Sequence, residues 1–319
     1  MSIFADGGAR VVRAVNGLSF ALHRGRALGI IGESGSGKSM TSLSILRLLP
    51  SGARILGGQV LFNGEDLVAK SERDMRRVRG RHIAMILQDP MVSLDPLYRV
   101  GDQVAEPLRT HRGLSGDALR ARVIELLGAV GIPAPESRYG QYPHQMSGGM
   151  LQRIVGATAI SCDPELLIAD EPTTALDPTV QAQYLDLLEE LQNRTGLALI
   201  VITHDLGVAA RLCDDVIVMY AGQAAERAPV RTLFEKPAHP YTQSLLFTLP
   251  GRHAPQQGEA KSHRRLQTIE GQPPDLASLP PGCAFAPRCP RADAKCRAEA
   301  PPETELRPGH TATCWYPTT

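Results

Sequence analysis

The chain has 319 residues, 43% hydrophobic and 21% charged, a balance that suits a soluble globular protein of two domains with a large core. A formal net charge of +1 and an aromatic content of 4% give no case for nucleic-acid binding through bulk charge or base stacking. No apolar run approaches the roughly 20 residues of a membrane span. Met1-Ser2-Ile3-Phe4-Ala5-Asp6 also lacks the basic and apolar regions of a signal peptide, so the expectation is a cytosolic protein that meets a membrane only through a partner.

Residues 10–23, with Val11, Val12, Val15, Leu18 and Phe20, read as an opening strand segment. Ala27-Leu28-Gly29-Ile30-Ile31 reads as a buried strand, and residues 41–49 as a helix. Between them stands Gly32-Glu33-Ser34-Gly35-Ser36-Gly37-Lys38-Ser39, a G-x-x-x-x-G-K-S phosphate-binding loop. Its glycines let the backbone wrap a phosphate chain with several N–H groups turned inward; the next helix offers its positive end to the same anion, and Met40, just before it, counts with residues 32–39 as a nucleotide-binding residue. Lys38 can reach β- and γ-phosphates, and the Ser39 hydroxyl can ligate Mg²⁺.

Ile83-Ala84-Met85-Ile86-Leu87 is a second apolar run, ending at Gln88. Residues 100–160 turn helical: Leu119, Val123, Leu126, Leu127 and Val130 recur at helical spacing behind a possible Ser115 cap, and Gly131-Ile132-Pro133 stops the helix. A further helix is expected over 147–162, halted by Asp163-Pro164. Ser147-Gly148-Gly149 at its start is either an anion site or an ordinary N-cap with flexible glycines. Three continuous apolar runs follow, at residues 166–169, 197–202 and 216–219, as in parallel strands covered on both faces. A helix over 180–194 completes a βαβ unit. The first run ends in Asp170-Glu171: Asp170 can hold Mg²⁺ through its water shell, and Glu171 can orient and polarise an attacking water. His204 follows the second run and, like Gln88, has a bland reading when taken alone.

Beyond residue 235 Pro, Gly and polar residues rise, and 251–265 reads as a loose linker. Cys162 and Cys213 lie in apolar or helical contexts and read as buried small hydrophobes. Cys283, Cys289, Cys296 and Cys314 crowd the tail with spacing C-x5-C-x6-C-x17-C, which in a cytosolic protein suggests metal rather than disulfides. Four thiolates can hold [4Fe–4S] or tetrahedral zinc, or remain free thiols; the C-x2-C pairs of zinc ribbons are missing. There is no internal repeat.

The ordered set of phosphate loop, Gln88, Ser147-Gly148-Gly149, Asp170-Glu171, Thr174-Ala175-Leu176-Asp177 and His204 resembles the ATP-binding cassette (ABC) family over roughly residues 10–225. The resemblance implies an α/β fold with a RecA-like phosphate-loop core and an inserted helical subdomain at about 95–162. It implies ATP and Mg²⁺, with Lys38 on phosphates, Ser39, Gln88 and Asp170 at the metal, Glu171 on the water and His204 on the γ-phosphate. Ser147, Gly148 and Gly149 resemble the signature that acts in trans on ATP held by a partner cassette, and Asp177 lies in the loop coupling the two sites. Phe4 stands near the place of an adenine-stacking aromatic, although the strand that normally precedes it is nearly absent.

The longer phrases, Gln88-Asp89-Pro90-Met91-Val92-Ser93-Leu94-Asp95-Pro96 among them, resemble the oligopeptide/dipeptide importer ATPases of the D type. Met150 is ordinary in that subfamily, whereas Leu151 stands where a basic residue is usual. His239-Pro240-Tyr241-Thr242, Gly271-Gln272-Pro273-Pro274 and Gly282-Cys283 through Cys289 resemble its C-terminal extension and favour a [4Fe–4S] cluster. The implied organisation is a cassette at 1–234 and an extension at 235–319, peripheral on the cytoplasmic face of the inner membrane. The implied partners are two transmembrane permease subunits, a second related ATPase in a head-to-tail dimer and, indirectly, an external substrate-binding protein, with no nucleic acid. Import of another small solute such as a nickel chelate, and a soluble ABC ATPase outside transport, are the alternatives.

Overall fold

The computed structural model describes residues 2–6, 10–174, 176–249 and 269–318, with 2–6 and 10 as backbone only. The linker expected at 251–265 lies outside the described residues. The principal sheet contains, in chain order, β1 (Ala27–Ile31), β2 (Ile83–Ile86), β3 (Leu166–Asp170), β4 (Ala198–Thr203), β5 (Asp215–Tyr220), β6 (Gln223–Pro229), β7 (Glu303–Arg307) and β8 (His310–Thr313). Their spatial order is β7-β8-β6-β5-β1-β4-β3-β2. The five strands from β5 to β2 run parallel, with Ala27 opposite Leu199 and Leu166 opposite Ala198. Burial on both faces explains their unbroken apolar runs: every residue of β1 and β4 is buried. Because the strands are parallel, the loops after β1, β2, β3 and β4 open on one carboxyl edge, the usual ligand edge of such sheets.

The helices that frame this edge are α1 (Lys38–Leu46), α2 (Val100–Arg112), α3 (Gly116–Ala129), α4 (Gly148–Ile160), α5 (Pro178–Thr195) and α6 (Pro240–Phe247). α1 begins three residues earlier than expected, directly on the phosphate loop, and Arg47 ends it in the left-handed region. Ser115 stands at the N-cap of α3 but makes no capping hydrogen bond there, whereas the Ser147 side chain accepts from Met150 N at the head of α4. α2, α3 and α4 pack on one another through Val104, Leu108, Val123, Leu127 and Ile154, all fully buried or nearly so. Leu151, unusual for its place, is buried in that same cluster, where a basic side chain would have no solvation.

Two expectations shift. The opening strand covers Arg10–Val15 only, because Asn16 and Gly17, the latter at φ +71°, turn the chain. It pairs with Ser2–Asp6, which pairs in turn with Ala53–Ile55. The tail adds β7 and β8 to the principal sheet through β6, and Phe285 enters the main core. The rings of Tyr220, Tyr241 and Phe285 meet at 4.6–5.3 Å between centroids and join tail to cassette.

Candidate active site

The loop after β1 turns on glycines whose freedom is required. Gly32 sits at φ +152° with the Met219 carbonyl 2.3 Å from where a Cβ would stand, and Gly37 at φ +101° with the Ala14 carbonyl at 2.1 Å. Lys38 is buried, and its Nζ donates to the carbonyls of Gly32 (2.8 Å) and Glu33 (2.9 Å). Burial pulls its pKa down, opposed by Glu171, Asp170 and Glu33. The Ser36 hydroxyl is buried without a hydrogen-bond partner, while Ser34, Gly35 and Ser39 face solvent and Met40 is half-buried.

Asp170 ends β3 buried, and its Oδ1 has no hydrogen-bond partner. Desolvation pushes its pKa up, while a hydrogen bond from Ser39 opposes the shift. A buried, unpartnered carboxylate oxygen beside a hydroxyl is oxygen-donor chemistry that fits a hard divalent cation.

Glu171 is the focus of the carboxyl edge. Its backbone lies at φ +47°, held by its amide donating to the Ile202 carbonyl at 2.7 Å. Three side chains converge on its carboxylate. Gln88 Nε2 and Thr174 Oγ1 donate to Oε2, each at 2.9 Å, and His204 Nδ1 lies 3.2 Å from Oε1. The loops after β2, β3 and β4 are thereby tied at one point, as is suited to holding a water-activating carboxylate in one orientation.

Ser147 and Gly148 are exposed at the head of α4, and among the described residues no hydrogen bond joins them to the phosphate loop. A Cβ at Gly149 would stand 2.8 Å from Val180 on α5, so this glycine lets the two helices approach. Asp177 caps α5 by accepting from Thr179 N and Val180 N, both at 3.0 Å. The Phe4 side chain lies outside the described residues. Sequence reasoning passed over Thr174 as a partner of Glu171. It also passed over Gln152, whose Nε2 donates to the Pro172 carbonyl at 2.8 Å and ties α4 to the acidic loop. The family-like phrase around Thr174 was the available signal; a polar residue on the buried face of α4 was the signal for Gln152.

Cys162 and Cys213 are buried, and burial pushes the Cys213 thiol up to about 12. Cys283, Cys289, Cys296 and Cys314 line one small cavity of about 20 Å³. Among the described residues, however, no group of three or more His, Cys, Asp or Glu side chains is arranged to hold a metal ion. No helix among them is long and apolar enough to cross a membrane.

Residues 15–174 match the family model for ABC transporters, and residues 225–296 that for the oligopeptide/dipeptide transporter C-terminal region. The chain is 49% identical over 305 residues to the dipeptide transport ATP-binding protein DppD of Bacillus subtilis, covering 95% of this chain and 89% of that protein. It is 47% identical over 305 residues to the protein of the same name from Escherichia coli, covering 96% and 91%. Among solved structures, a dimeric ATP-binding cassette in a post-hydrolysis state, bound to ADP and Pi, matches with a TM-score of 0.64 at 27% identity. That match covers 72% of this chain and 99% of the cassette.

Proposed function

The chain belongs to the ABC transporter family, and on that premise we propose that it is the ATP-hydrolysing motor subunit of an importer of di- and oligopeptides. The observation that carries the hydrolytic role is the convergence of Gln88, Thr174 and His204 on the Glu171 carboxylate at the carboxyl edge.

In this reading Lys38 exchanges the Gly32 and Glu33 carbonyls for β- and γ-phosphate oxygens, and the loop amides and Ser36 take the remaining phosphate oxygens. Ser39, Asp170 and Gln88 would hold Mg²⁺, directly or through water. When bound, Mg²⁺ neutralises charge building on the phosphoryl oxygens. Glu171 accepts the proton of the attacking water, and Gln88 and Thr174 fix its Oε2. His204, whose Nδ1 lies 3.2 Å from Glu171 Oε1, would contact the γ-phosphate.

We take the cassette as 1–234, with helical subdomain 95–162, and Ser147, Gly148 and Gly149 as the group that acts on a partner cassette's ATP; the exposure of Ser147 and Gly148 at the head of α4 supports that reading. Asp177, which accepts from Thr179 N and Val180 N as the cap of α5, suits the loop between the two sites. The segment after Gln88 exposes Met91, Val92, Leu97 and Tyr98, at 60–80% relative exposure. Such an apolar patch supports docking of a permease subunit directly downstream of the residue that contacts Glu171. Two permease subunits, a second ATPase and an external substrate-binding protein complete the assembly, with this chain peripheral on the cytoplasmic face. For the extension at 235–319 we propose an iron–sulfur cluster on Cys283, Cys289, Cys296 and Cys314. Its support is that all four thiols line one cavity and that thiolates are the usual ligands of such clusters.

The test of the importer role is uptake of labelled dipeptides and longer oligopeptides in cells whose only copy carries Glu171→Gln at normal abundance. Loss of uptake is expected. Unchanged uptake of every peptide length would overturn the reading.

A further inference from the structure

Glu33 is an awkward residue for its position. It places a carboxylate in a loop built to bind phosphate, where like charge weakens the anion's binding. The structure pairs that carboxylate with a residue 255 positions away. Arg288 Nη1 donates to Glu33 Oε2 at 2.6 Å and Nη2 to Oε1 at 3.0 Å, a bidentate fork from the tail. The Arg288 side chain is 5% exposed and that of Glu33 24%.

The fork is fixed by its other donors. Nε donates to the Glu270 carbonyl at 3.0 Å, Nη1 to Tyr220 Oη at 3.3 Å and Nη2 to the Ile269 carbonyl at 3.3 Å. Lysine could reproduce the charge but not this planar set of donors. A second tail residue holds the same loop residue by its backbone: the Glu33 amide donates to Tyr241 Oη at 2.9 Å. Tyr241 is fully buried and packs against Phe285, three residues before Arg288.

We propose that Arg288 is a positioning residue of the nucleotide site, cancelling the Glu33 charge and fixing the phosphate loop from the C-terminal tail. The inference rests on the reading of residues 32–39 as an ATP site and adds a part of that site lying outside the cassette.

The test uses the full chain and titrates MgATP binding at equilibrium. Trp315, the one tryptophan of the sequence, reports the tail: its Nε1 donates to the Glu299 carbonyl and Lys295 lies over its ring. Arg288→Gln is expected to weaken MgATP about tenfold, the order of one charge-assisted hydrogen-bonded pair, with native Trp315 emission. Arg288→Lys should recover only part of the loss. Adding Glu33→Gln to Arg288→Gln should restore most of the affinity, because it removes the stranded charge; a mere staple between tail and loop gives no such rescue. Should Arg288→Gln fail to fold, the double variant and Arg288→Lys carry the comparison. MgATP affinity within twofold of wild type in folded Arg288→Gln, or a double variant as weak as the single one, overturns the proposal. Absence of MgATP binding by the wild-type chain would instead overturn the ATP site itself.

Discussion

Glu171 adopts a left-handed backbone conformation with a side chain that is not glycine, at a cost of about 1 kcal/mol or more. The surroundings over-determine it, with one hydrogen bond from its amide and three groups on its carboxylate. Strain at a residue so held is what a site needs to aim a carboxylate along one line. The tail cysteines pose a different question at the same scale. Burial pushes the thiols of Cys283, Cys296 and Cys314 up, so without metal they are protonated near neutral pH. The cluster proposed for them would have to displace those protons, so its retention would weaken as pH falls. Protein purified without oxygen should carry iron and acid-labile sulfide at roughly four of each per chain. Cys289→Ser should lower both. Neither iron nor zinc by elemental analysis would end the metal reading.

At the scale of elements, β6 carries a buried carboxylate. Glu226 on it is 1% exposed, and its carboxylate accepts from Ala238 N and His239 N, each at 2.8 Å, and faces His310 Nε2 at 2.8 Å. One side chain thus ties β6, the start of α6 and β8. Glu226→Ala strands two buried amides and an imidazole, so a loss of about 3 kcal/mol or more is expected, read as a fall in denaturant midpoint. Glu226→Gln, which keeps an acceptor, should lose less. No pattern in the sequence announced this junction. The parallel strands were legible because burial on both faces leaves apolar runs such as Leu197 to Ile202. The phosphate loop and Asp170-Glu171 were legible from their own residues, whereas Gln88 and His204, bland when taken alone, were legible only through the resemblance of the ordered set to a known family. Glu303–Arg307 was not, because an edge strand with Glu303, Thr304 and Glu305 exposed keeps its polar residues. Arg288 was not, because its partner lies 255 residues away and nothing local marks a bidentate pair.

At the scale of the molecule, the family matches divide the chain into an ABC part and a C-terminal part, while the sheet runs through both. A tail that were a separate appendage could be removed without loss to the cassette. Here, ending the chain after residue 249 removes β7 and β8 and leaves β6 as an open edge. It takes Phe285, 2% exposed, from its contacts with Tyr220 and Tyr241, and Arg288 from Glu33. Burying one such aromatic is worth about 1.5–3 kcal/mol, and a bidentate charge pair adds to it. For a chain of this size each kcal/mol moves the melting temperature by about 1.5–2 °C, so the truncated protein should melt at least about 5 °C lower. The opened β6 edge should also make it aggregate on heating, because unpaired strand edges template association. Scanning calorimetry with light scattering, run beside the full chain, decides the matter. An unchanged melting temperature would mean that the cassette needs nothing from its tail, and the shared sheet would then be a contact without energetic consequence.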